Sequence, residues 1–229
     1  MLFFTFIVNR TCFLVVRMRK TKTSTKTLFH YNGFSIESDL EVYEPAEDTF
    51  LLLETLDVHP HDSMMELGTG AGLIALDCAQ RGARVVCSDI NPFAVRLVRR
   101  NIERNRRLLK GPIEVRQGDL FFALRPSERF DIIVLNPPYL PTKRSERVGG
   151  WFDVATDGGQ DGLRLTKRFL HEVTEHLLEH GRAYFIFSTL SSRTSLEKTL
   201  KREHLSFEIR ARRRFEGEEL DVYYVTPTD

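Results

Sequence analysis

Four consecutive residues, Asn136, Pro137, Pro138 and Tyr139, offer groups that suit a planar NH2 group. Asn136 supplies a side-chain amide oxygen, Pro137 supplies a backbone carbonyl, and the two prolines keep the backbone extended without continuing a strand. Tyr139 adds a flat aromatic ring with a polar tip. Two acceptors beside an aromatic face can hold both N–H bonds while the ring stacks on the conjugated plane. The tetrapeptide therefore indicates an acceptor site, with an ordinary turn after a strand as the simpler alternative.

The residues before this tetrapeptide predict the element that positions it. Residues 130–135 read Phe-Asp-Ile-Ile-Val-Leu, which is typical of a strand buried on both faces. The tetrapeptide would then follow the carboxyl end of a core strand. Ligands of open α/β sheets bind at that end.

A glycine-rich turn stands upstream, between a predicted strand, 63–67, and a predicted helix, 73–80. This order of strand, turn and helix brings the backbone close to a nucleotide ligand. A dinucleotide fingerprint would need glycine or alanine where Leu73 stands, so the spacing does not fit one. The sequence instead has one acidic residue followed by alternating glycines: Glu66, Gly68, Gly70 and Gly72.

Two further predicted strands also end in acidic residues. The strand 83–87 is followed by Asp89, whose carboxylate can accept both hydroxyls of a ribose. The strand 113–116 is followed by Asp119 and Leu120, which suit the amino group and the face of an adenine. One acidic residue at a strand end is more often a helix cap or a solvated charge. Three at successive strand ends predict a nucleoside-bearing cofactor.

A dense polar cluster precedes the first of these strands. In residues 43–49, Pro45 is followed by Glu47 and Asp48, ahead of a leucine-rich helical stretch, 50–56. Proline near a helix start and acids in the first turn are signals of a helix N-terminus. A capped helix that packs on the core explains the leucines, and it explains the polar cluster less well.

The segment after the tetrapeptide, 140–161, is rich in glycine and charge and contains Trp151, which indicates a long loop beside the acceptor site. A helix is predicted over 163–178, ended by His180 and Gly181. The other predicted elements are the helices 91–105 and 196–203 and the strands 184–187, 207–210 and 222–225. This order predicts an α/β fold, a doubly wound, mostly parallel seven-stranded sheet with an antiparallel final strand.

Length and composition restrict the class of protein. The 229 residues suit one large domain, assigned to residues 31–229, behind a disordered leader, 1–30. The apolar start of that leader is interrupted by polar residues and is too short to span a bilayer. The net charge of +1 creates no global field that recruits nucleic acid. The scattered cysteines predict reduced thiols and a cytoplasmic protein, and no histidine or cysteine spacing indicates a metal site.

The motifs together resemble the HemK family of class I S-adenosylmethionine-dependent methyltransferases. The resemblance rests on residues 43–53, 66–72, 89–92, 119–120 and 136–139. Within the family, the chain is most similar to the eukaryotic and archaeal branch, which methylates the glutamine of the Gly-Gly-Gln motif in class 1 peptide chain release factors. Bacterial members carry a separate N-terminal helical domain, for which the chain ahead of this core is too short.

The resemblance implies a cofactor and a set of site residues. S-adenosyl-L-methionine would be bound by Thr49, Glu66, Gly68, Gly70, Asp89, Asp119, Leu120 and Asn136. The catalytic residues would be Asn136, Pro137 and Tyr139, which hold the target amide. The resemblance also implies a translation termination factor as substrate and a small zinc-binding activator subunit as partner, which would pair with the edge strand 113–117.

Other functions fit some of the same residues. An adenine-N6 methyltransferase on DNA or RNA is the main alternative, because the acceptor pair suits an exocyclic amine after base flipping. A protein-lysine methyltransferase and a non-enzymatic scaffold that binds the cofactor for another methyltransferase are further alternatives. The near-zero net charge and the lack of a separate target-recognition segment favour a protein substrate.

Overall fold

The computed structural model describes residues 27–142 and 149–228. In these ranges, a short hairpin precedes an alternating series of strands and helices. The strands are β1 (Leu28–Tyr31), β2 (Phe34–Glu37), β3 (Ser63–Leu67), β4 (Arg84–Asp89), β5 (Ile113–Gln117), β6 (Phe130–Leu135), β7 (Leu177–Ser188), β8 (Leu205–Phe215) and β9 (Glu218–Pro227). The α-helices are α1 (Glu47–Thr55), α2 (Leu73–Arg81), α3 (Pro92–Asn105), α4 (Trp151–Thr156), α5 (Arg164–Glu172) and α6 (Arg193–Arg202).

Seven of the strands form one sheet, in the order β5-β4-β3-β6-β7-β9-β8. Neighbours from β5 to β7 are parallel, whereas β9 is antiparallel to both β7 and β8. The predicted fold class is confirmed, and β5 lies at the predicted edge. In the register, Leu67 of β3 is paired with Ser88 of β4 and with Leu135 of β6. The segments that follow these three strands therefore leave the sheet side by side.

The central strands are apolar on both faces because helices cover both sides of the sheet. Met64 and Ile132 pack into one core cluster, and Met65 and Ile133 pack into the other, all with no exposed surface. Successive side chains of a strand point to opposite faces, so an uninterrupted apolar run supplies both layers.

The hairpin of β1 and β2 was not predicted. Asn32 and Gly33 form its turn with φ angles of 45° and 85°, and an Asn-Gly pair between apolar residues is a known signal for such a turn. The hairpin is bound to α3, where Asn101 Oδ1 accepts from the backbone N–H of Glu37 at 2.8 Å. Asn101 Nδ2 also donates to Ala71 O at 2.9 Å, so the hairpin, α3 and the glycine turn are connected.

The domain boundary and the leader are only partly within the described residues. Residues 1–26 of the predicted leader lie outside them. The strand β1 begins at Leu28, ahead of the boundary predicted at residue 31.

The predicted helix 163–178 is wrong in its second half. The helix α5 ends at Glu172, a 3-10 turn follows, and Leu177 already pairs with Phe130 in the sheet. Gly181 lies inside β7, where an added Cβ would be 2.8 Å from the carbonyl oxygen of Leu178. The glycine allows a close approach of backbone atoms and does not end a helix, and a short apolar run alone does not distinguish a helix from a strand.

The predicted long loop 140–161 also contains regular structure. The helix α4 begins at Trp151, and Leu140 forms a parallel bridge with Asp157. Six helical residues are too few for a periodic pattern to be recognised. Residues 143–148 of this segment lie outside the described part of the chain.

The closing hairpin is longer than predicted. Both β8 and β9 extend beyond 207–210 and 222–225. The polar, arginine-rich composition of β8 gave no strand signal over its second half.

Two cysteines, Cys78 and Cys87, are within the described residues, and both are free and buried. Burial raises the pKa of each thiol, so both remain protonated and act as packing residues. Cys12 lies outside the described residues. Over the ranges 27–142 and 149–228, no helix is long and apolar enough to cross a membrane.

Candidate active site

The predicted site residues lie together at the carboxyl ends of four neighbouring parallel strands. Asp119 follows β5, Asp89 ends β4, Gly68 follows β3, and Asn136 follows β6. The chain order of these residues differs from their spatial order, because β3 lies between β4 and β6. The sheet therefore places the glycine turn between the acidic strand end of β4 and the proline-rich tetrapeptide.

The glycine turn has a backbone that other residues rarely adopt. Gly68, Gly70 and Gly72 have φ angles of 72°, 54° and 84°. Glycine adopts this left-handed region at no steric cost because it has no Cβ. The backbone N–H groups of Gly68 and Thr69 donate to Ser88 O at 2.9 Å, which fixes the turn on β4. An added Cβ on Gly68 would meet no atom within 4 Å, so this face of the turn is open to a ligand.

Glu66 lies beneath this turn. Its side chain is within β3 and only 3% exposed, and Oε2 accepts from Thr69 Oγ1 at 2.7 Å and from Ala75 N at 3.1 Å. Burial raises the pKa of this carboxyl to about 8, although the two hydrogen bonds oppose the shift. These contacts hold the turn on the start of α2. The sequence placed Glu66 near the end of the predicted strand 63–67, and β3 has these bounds, so Glu66 lies one residue before the strand ends.

Asp89 lies at the tip of β4, next to the turn. Its Oδ2 accepts from Gly70 N at 2.9 Å, and its Oδ1 accepts from Asn91 N at 2.9 Å. Burial raises the pKa of Asp89, and these backbone donors oppose that shift. Each carboxylate oxygen has a second lone pair, so the group can still accept two hydroxyls, as a ribose would require.

Asp119 and Leu120 follow the edge strand β5. Leu120 is 6% exposed and has a φ of 48°, an uncommon conformation for leucine. The Asp119 carboxylate accepts two hydrogen bonds from Arg168 of α5, at 3.2 and 2.8 Å. Sequence reasoning missed Arg168, and an adenine amino group bound by Asp119 would share that carboxylate with it.

The acceptor side of the site is centred on Asn136. Its Oδ1 is buried and has no hydrogen-bond partner among the residues that the structure describes. A buried acceptor left unpaired costs about 1–3 kcal/mol. Pro137 is buried beside it, and its carbonyl is the second predicted acceptor. The arrangement therefore fits a ligand that brings N–H groups.

Tyr139 is hydrogen-bonded to a buried carboxylate, a contact that the sequence did not predict. The Tyr139 hydroxyl donates to Asp48 Oδ2 at 3.2 Å, and the Tyr43 hydroxyl donates to the same oxygen at 3.4 Å. Asp48 is 3% exposed. Burial raises the pKa of both tyrosines well above the usual range, and the negative charge of Asp48 adds to this shift. Both hydroxyls therefore stay protonated and act as donors.

Thr49 is adjacent to Asp48 in the first turn of α1. Its backbone N–H donates to Asp48 Oδ1 at 2.6 Å, and its hydroxyl donates to the same oxygen at 3.2 Å. Thr49 Oγ1 also accepts from Ala46 N at 3.4 Å. The structure therefore places this predicted cofactor residue in contact with the helix terminus and with Asp48.

The end of the β7 and β9 pair closes the acceptor side. Ser191 Oγ donates to Tyr139 O at 2.7 Å, and an added Cβ on Gly162 would be 2.5 Å from that oxygen. Glu218 accepts from Ser188 Oγ at 2.6 Å, and burial followed by the charge of Asp48 raises the pKa of Glu218. Of these residues, only Gly162 is of a type that a sequence pattern can single out, as a residue that interrupts helices and strands. The positions of Ser188, Ser191 and Glu218 at the site are evident only from the fold.

Comparisons with known proteins show the family to which the chain is related. A family model described as a methyltransferase small domain matches residues 44–150. The chain is 36% identical over 196 residues to a putative protein N5-glutamine methyltransferase of Methanocaldococcus jannaschii, with 85% of this chain and 96% of that protein covered. It is 30% identical over 175 residues to the methyltransferase HEMK2 of Homo sapiens, with 72% and 80% covered.

A solved structure shows the same fold. This is the Mtq2–Trm112 complex of E. cuniculi, described as responsible for methylation of the eRF1 translation termination factor. The TM-score is 0.63 at 21% identity, and the match covers 82% of this chain and 100% of that one.

Proposed function

This chain belongs to the HemK family of protein N5-glutamine methyltransferases, and from that membership we propose that it methylates the glutamine of the Gly-Gly-Gln motif in a class 1 peptide chain release factor. The methyl acceptor is the side-chain amide nitrogen. The observation that carries this assignment is the buried Oδ1 of Asn136, which lacks a partner within the described residues and stands beside the glycine turn. A primary amide supplies the N–H groups that this position needs.

The cofactor is S-adenosyl-L-methionine, which supplies a sulfonium-bound methyl group. We assign its ribose to Asp89 and its adenine to Asp119 and Leu120, along the open face of the turn at Gly68 and Gly70. The support is the spare acceptor capacity of Asp89 and the open space at Gly68.

We assign Thr49 and Glu66 to the support of the same site. Thr49 lies in the helix terminus next to Asp48, at the side where the methionine end of the cofactor is proposed to lie. Glu66 holds the glycine turn from below.

The proposed mechanism depends on alignment. An amide nitrogen is a poor nucleophile because its lone pair is conjugated with the carbonyl group. Asn136 Oδ1 and the Pro137 carbonyl hold the two N–H bonds, and the Tyr139 ring packs against the amide plane, so that the nitrogen is directed at the methyl group. Both acceptor contacts strengthen as positive charge develops on nitrogen. The amide proton leaves to water or through Asn136 after the transfer.

We also propose a small zinc-binding activator subunit as a partner, bound at β5. The support is the position of β5 at the end of the sheet, where Ile113 and Val115 are only half-buried, together with the two-protein assembly of the E. cuniculi structure. An uncovered strand edge favours aggregation, so the chain expressed alone is expected to be poorly soluble. A monodisperse and fully active chain without a partner would contradict this part of the proposal. The proposed compartment is the cytoplasm, where translation terminates.

The test is methyl transfer from labelled S-adenosylmethionine, with and without the activator subunit. The substrates are a release factor, its Gln-to-Ala variant, and DNA and RNA that contain adenine. Label on the factor that disappears in the Gln-to-Ala variant and with the Asn136→Ala enzyme would support the proposal. Label on nucleic acid would keep the role of Asn136 and replace the substrate by adenine.

A further inference from the structure

The carboxylate of Asp48 is saturated with hydrogen bonds. Its Oδ1 accepts from the backbone N–H and the hydroxyl of Thr49, and its Oδ2 accepts from the hydroxyls of Tyr43 and Tyr139. A carboxylate offers about four lone-pair sites, so these donors fill them. Asp48 is also buried and stands in the first turn of α1, where the helix dipole stabilises a negative charge. Asp48 is therefore suited to hold its neighbours in place.

The segment that carries Asp48 connects the two sides of the site. Glu41 O, before this segment, accepts from Asn91 Nδ2 at the tip of β4 at 2.7 Å. An added Cβ on Gly70 would be 3.6 Å from Tyr43 O, so the segment also packs against the glycine turn. The segment therefore contacts the glycine turn through its backbone and contacts Tyr139 through the side chain of Asp48.

Tyr139 is held at two points, which together determine where its ring lies. The backbone carbonyl accepts from Ser191 Oγ, and the phenolic hydroxyl donates to Asp48. The backbone contact alone leaves the side-chain torsions free. The ring packs against the hydrophobic core, and the contact with Asp48 holds its hydroxyl end.

We propose that Asp48 is a positioning residue, which sets the Tyr139 ring against the planar NH2 group of the substrate by accepting hydrogen bonds from Tyr139 and Tyr43 on one oxygen. This inference rests on the proposed function for its substrate, and it specifies which side chain orders the acceptor pocket. A carboxylate is required at this position because four donors converge on it. An asparagine there would have one acceptor oxygen and would turn an NH2 group towards donors.

The first experiment is a double-mutant cycle of Asp48→Asn and Tyr139→Phe. Asp48→Asn is expected to lower kcat/KM for the release factor on the order of 100-fold, because the Tyr139 ring would no longer hold the substrate amide in the reactive geometry. Tyr139→Phe, which removes only the hydroxyl, is expected to lower it roughly 10-fold. Because both changes break the same contact, the double variant should be no more than about three-fold worse than Asp48→Asn alone. The dissociation constant of S-adenosylmethionine should stay within about three-fold throughout.

Asp131→Asn is the matched control. Asp131 lies on β6 at the end opposite to the site, and its Oδ2 accepts from the backbone N–H and the hydroxyl of Ser63, at 2.8 and 2.6 Å. The Asp131→Asn variant should have a lower thermal stability and an unchanged kcat/KM. Fully multiplicative losses in the cycle, or a loss with Asp48→Asn that weaker cofactor binding explains completely, would overturn the proposal.

A second measurement needs no substrate. The protein is labelled with fluorotyrosine, and the 19F resonance of Tyr139 is assigned by its absence from Tyr139→Phe. Asp48→Asn is expected to move this resonance towards the position of a solvent-exposed tyrosine, whereas Asp131→Asn should leave it unchanged. An unchanged resonance in Asp48→Asn would refute the positioning role. If the wild-type enzyme labels adenine in place of glutamine, the proposed function fails, while the cycle repeated with that substrate and the 19F measurement still test Asp48.

Discussion

The cofactor side and the acceptor side of the site differ in how their polar groups are satisfied. On the cofactor side, Asp89 and Glu66 each accept two hydrogen bonds from the turn and the adjoining helix starts. On the acceptor side, Asp48 is saturated, whereas Asn136 Oδ1 is buried without a partner in the described part of the chain.

This difference indicates two kinds of site. The cofactor side keeps its shape through its own hydrogen bonds, so changes there should alter cofactor affinity and stability. The acceptor side carries an unmet polar group, which costs stability until a substrate N–H pairs with it. Changes to that group should therefore lower catalysis without lowering stability, as expected where function and stability compete.

The largest effect is expected from Asn136→Ala. We expect kcat/KM to fall about 10²–10³-fold, as it does when one preorganised polar group of an active site is removed. The free energy of unfolding should stay the same or rise by about 1 kcal/mol, because an unpaired buried group is lost. Labelled methyl transfer and urea unfolding measure the two quantities.

Asn101→Ala provides the comparison for that variant. Asn101 is fully buried and hydrogen-bonded to Glu37 and Ala71, so its loss should cost about 1–3 kcal/mol. If Asn136→Ala were equally destabilising, the distinction between the two sides of the site would be wrong.

Asp89→Ala tests the cofactor side. It removes the acceptor proposed for the ribose and leaves Gly70 N and Asn91 N without their partner. Cofactor affinity should fall at least roughly 100-fold, since hydrogen bonds to a charged group contribute about 1.5–3 kcal/mol each and two ribose hydroxyls lose their acceptor. Titration calorimetry with S-adenosylmethionine measures this change. A lower kcat at saturating cofactor with unchanged affinity would place Asp89 on the acceptor side instead.

Glu66→Gln tests the buried acid beneath the turn through pH. The folded pKa of Glu66, about 8, is above its usual value of 4.5, so the unfolded chain releases this proton first as pH rises. Stability should therefore fall between about pH 5 and about pH 8, by at most roughly 1.4 kcal/mol per pH unit from this group. Glutamine keeps the acceptor oxygen and removes the titration, so the variant should show a flatter slope in urea unfolding.

The wild-type protein is the reference for that slope. Burial also raises the pKa of Asp89, which adds a slope of the same sign in both proteins, so the difference between them isolates Glu66. Tyr43 and Tyr139 titrate far above this range and add nothing to it. Parallel stability curves would mean that Glu66 ionises normally.

The smallest effect is expected from Arg168→Gln. Arg168 donates to both oxygens of Asp119, and both side chains are close to 40% exposed. An exposed ion pair contributes at most about 1 kcal/mol, so freeing Asp119 should raise cofactor affinity by no more than roughly five-fold. Arg106→Gln, which breaks an exposed pair with Glu103, is the control and should change nothing. Weaker cofactor binding in Arg168→Gln would show that the arginine itself contacts the cofactor.

Local signals in the sequence predicted the cofactor side well. The strands β3, β4 and β5, the turn and the helix α3 lie where their patterns placed them. The reasons are local: a positive φ requires glycine at Gly68, Gly70 and Gly72, and Asn91 caps α3 through its own side chain.

The acceptor side was predicted only in part. The tetrapeptide was found because it follows a recognisable buried strand. The β7 start was mistaken for helix, and α4 was taken for loop, because short apolar or polar runs fit more than one structure. Ser191 and Glu218 carry no pattern that assigns them to a site.

The sequence by itself therefore determined the fold class, the methyltransferase family and the two motifs, because each depends on residues that are close in the chain. Tertiary structure alone decided that Asp48 contacts Tyr139 and that Glu66 faces inward beneath the turn. Asp48 and Tyr139 are 91 positions apart, and they meet because β3 and β6 are neighbours in the sheet while α1 packs against β7, β8 and β9. Contacts of this kind follow from the order in which strands pair, and no local pattern of residue types encodes that order.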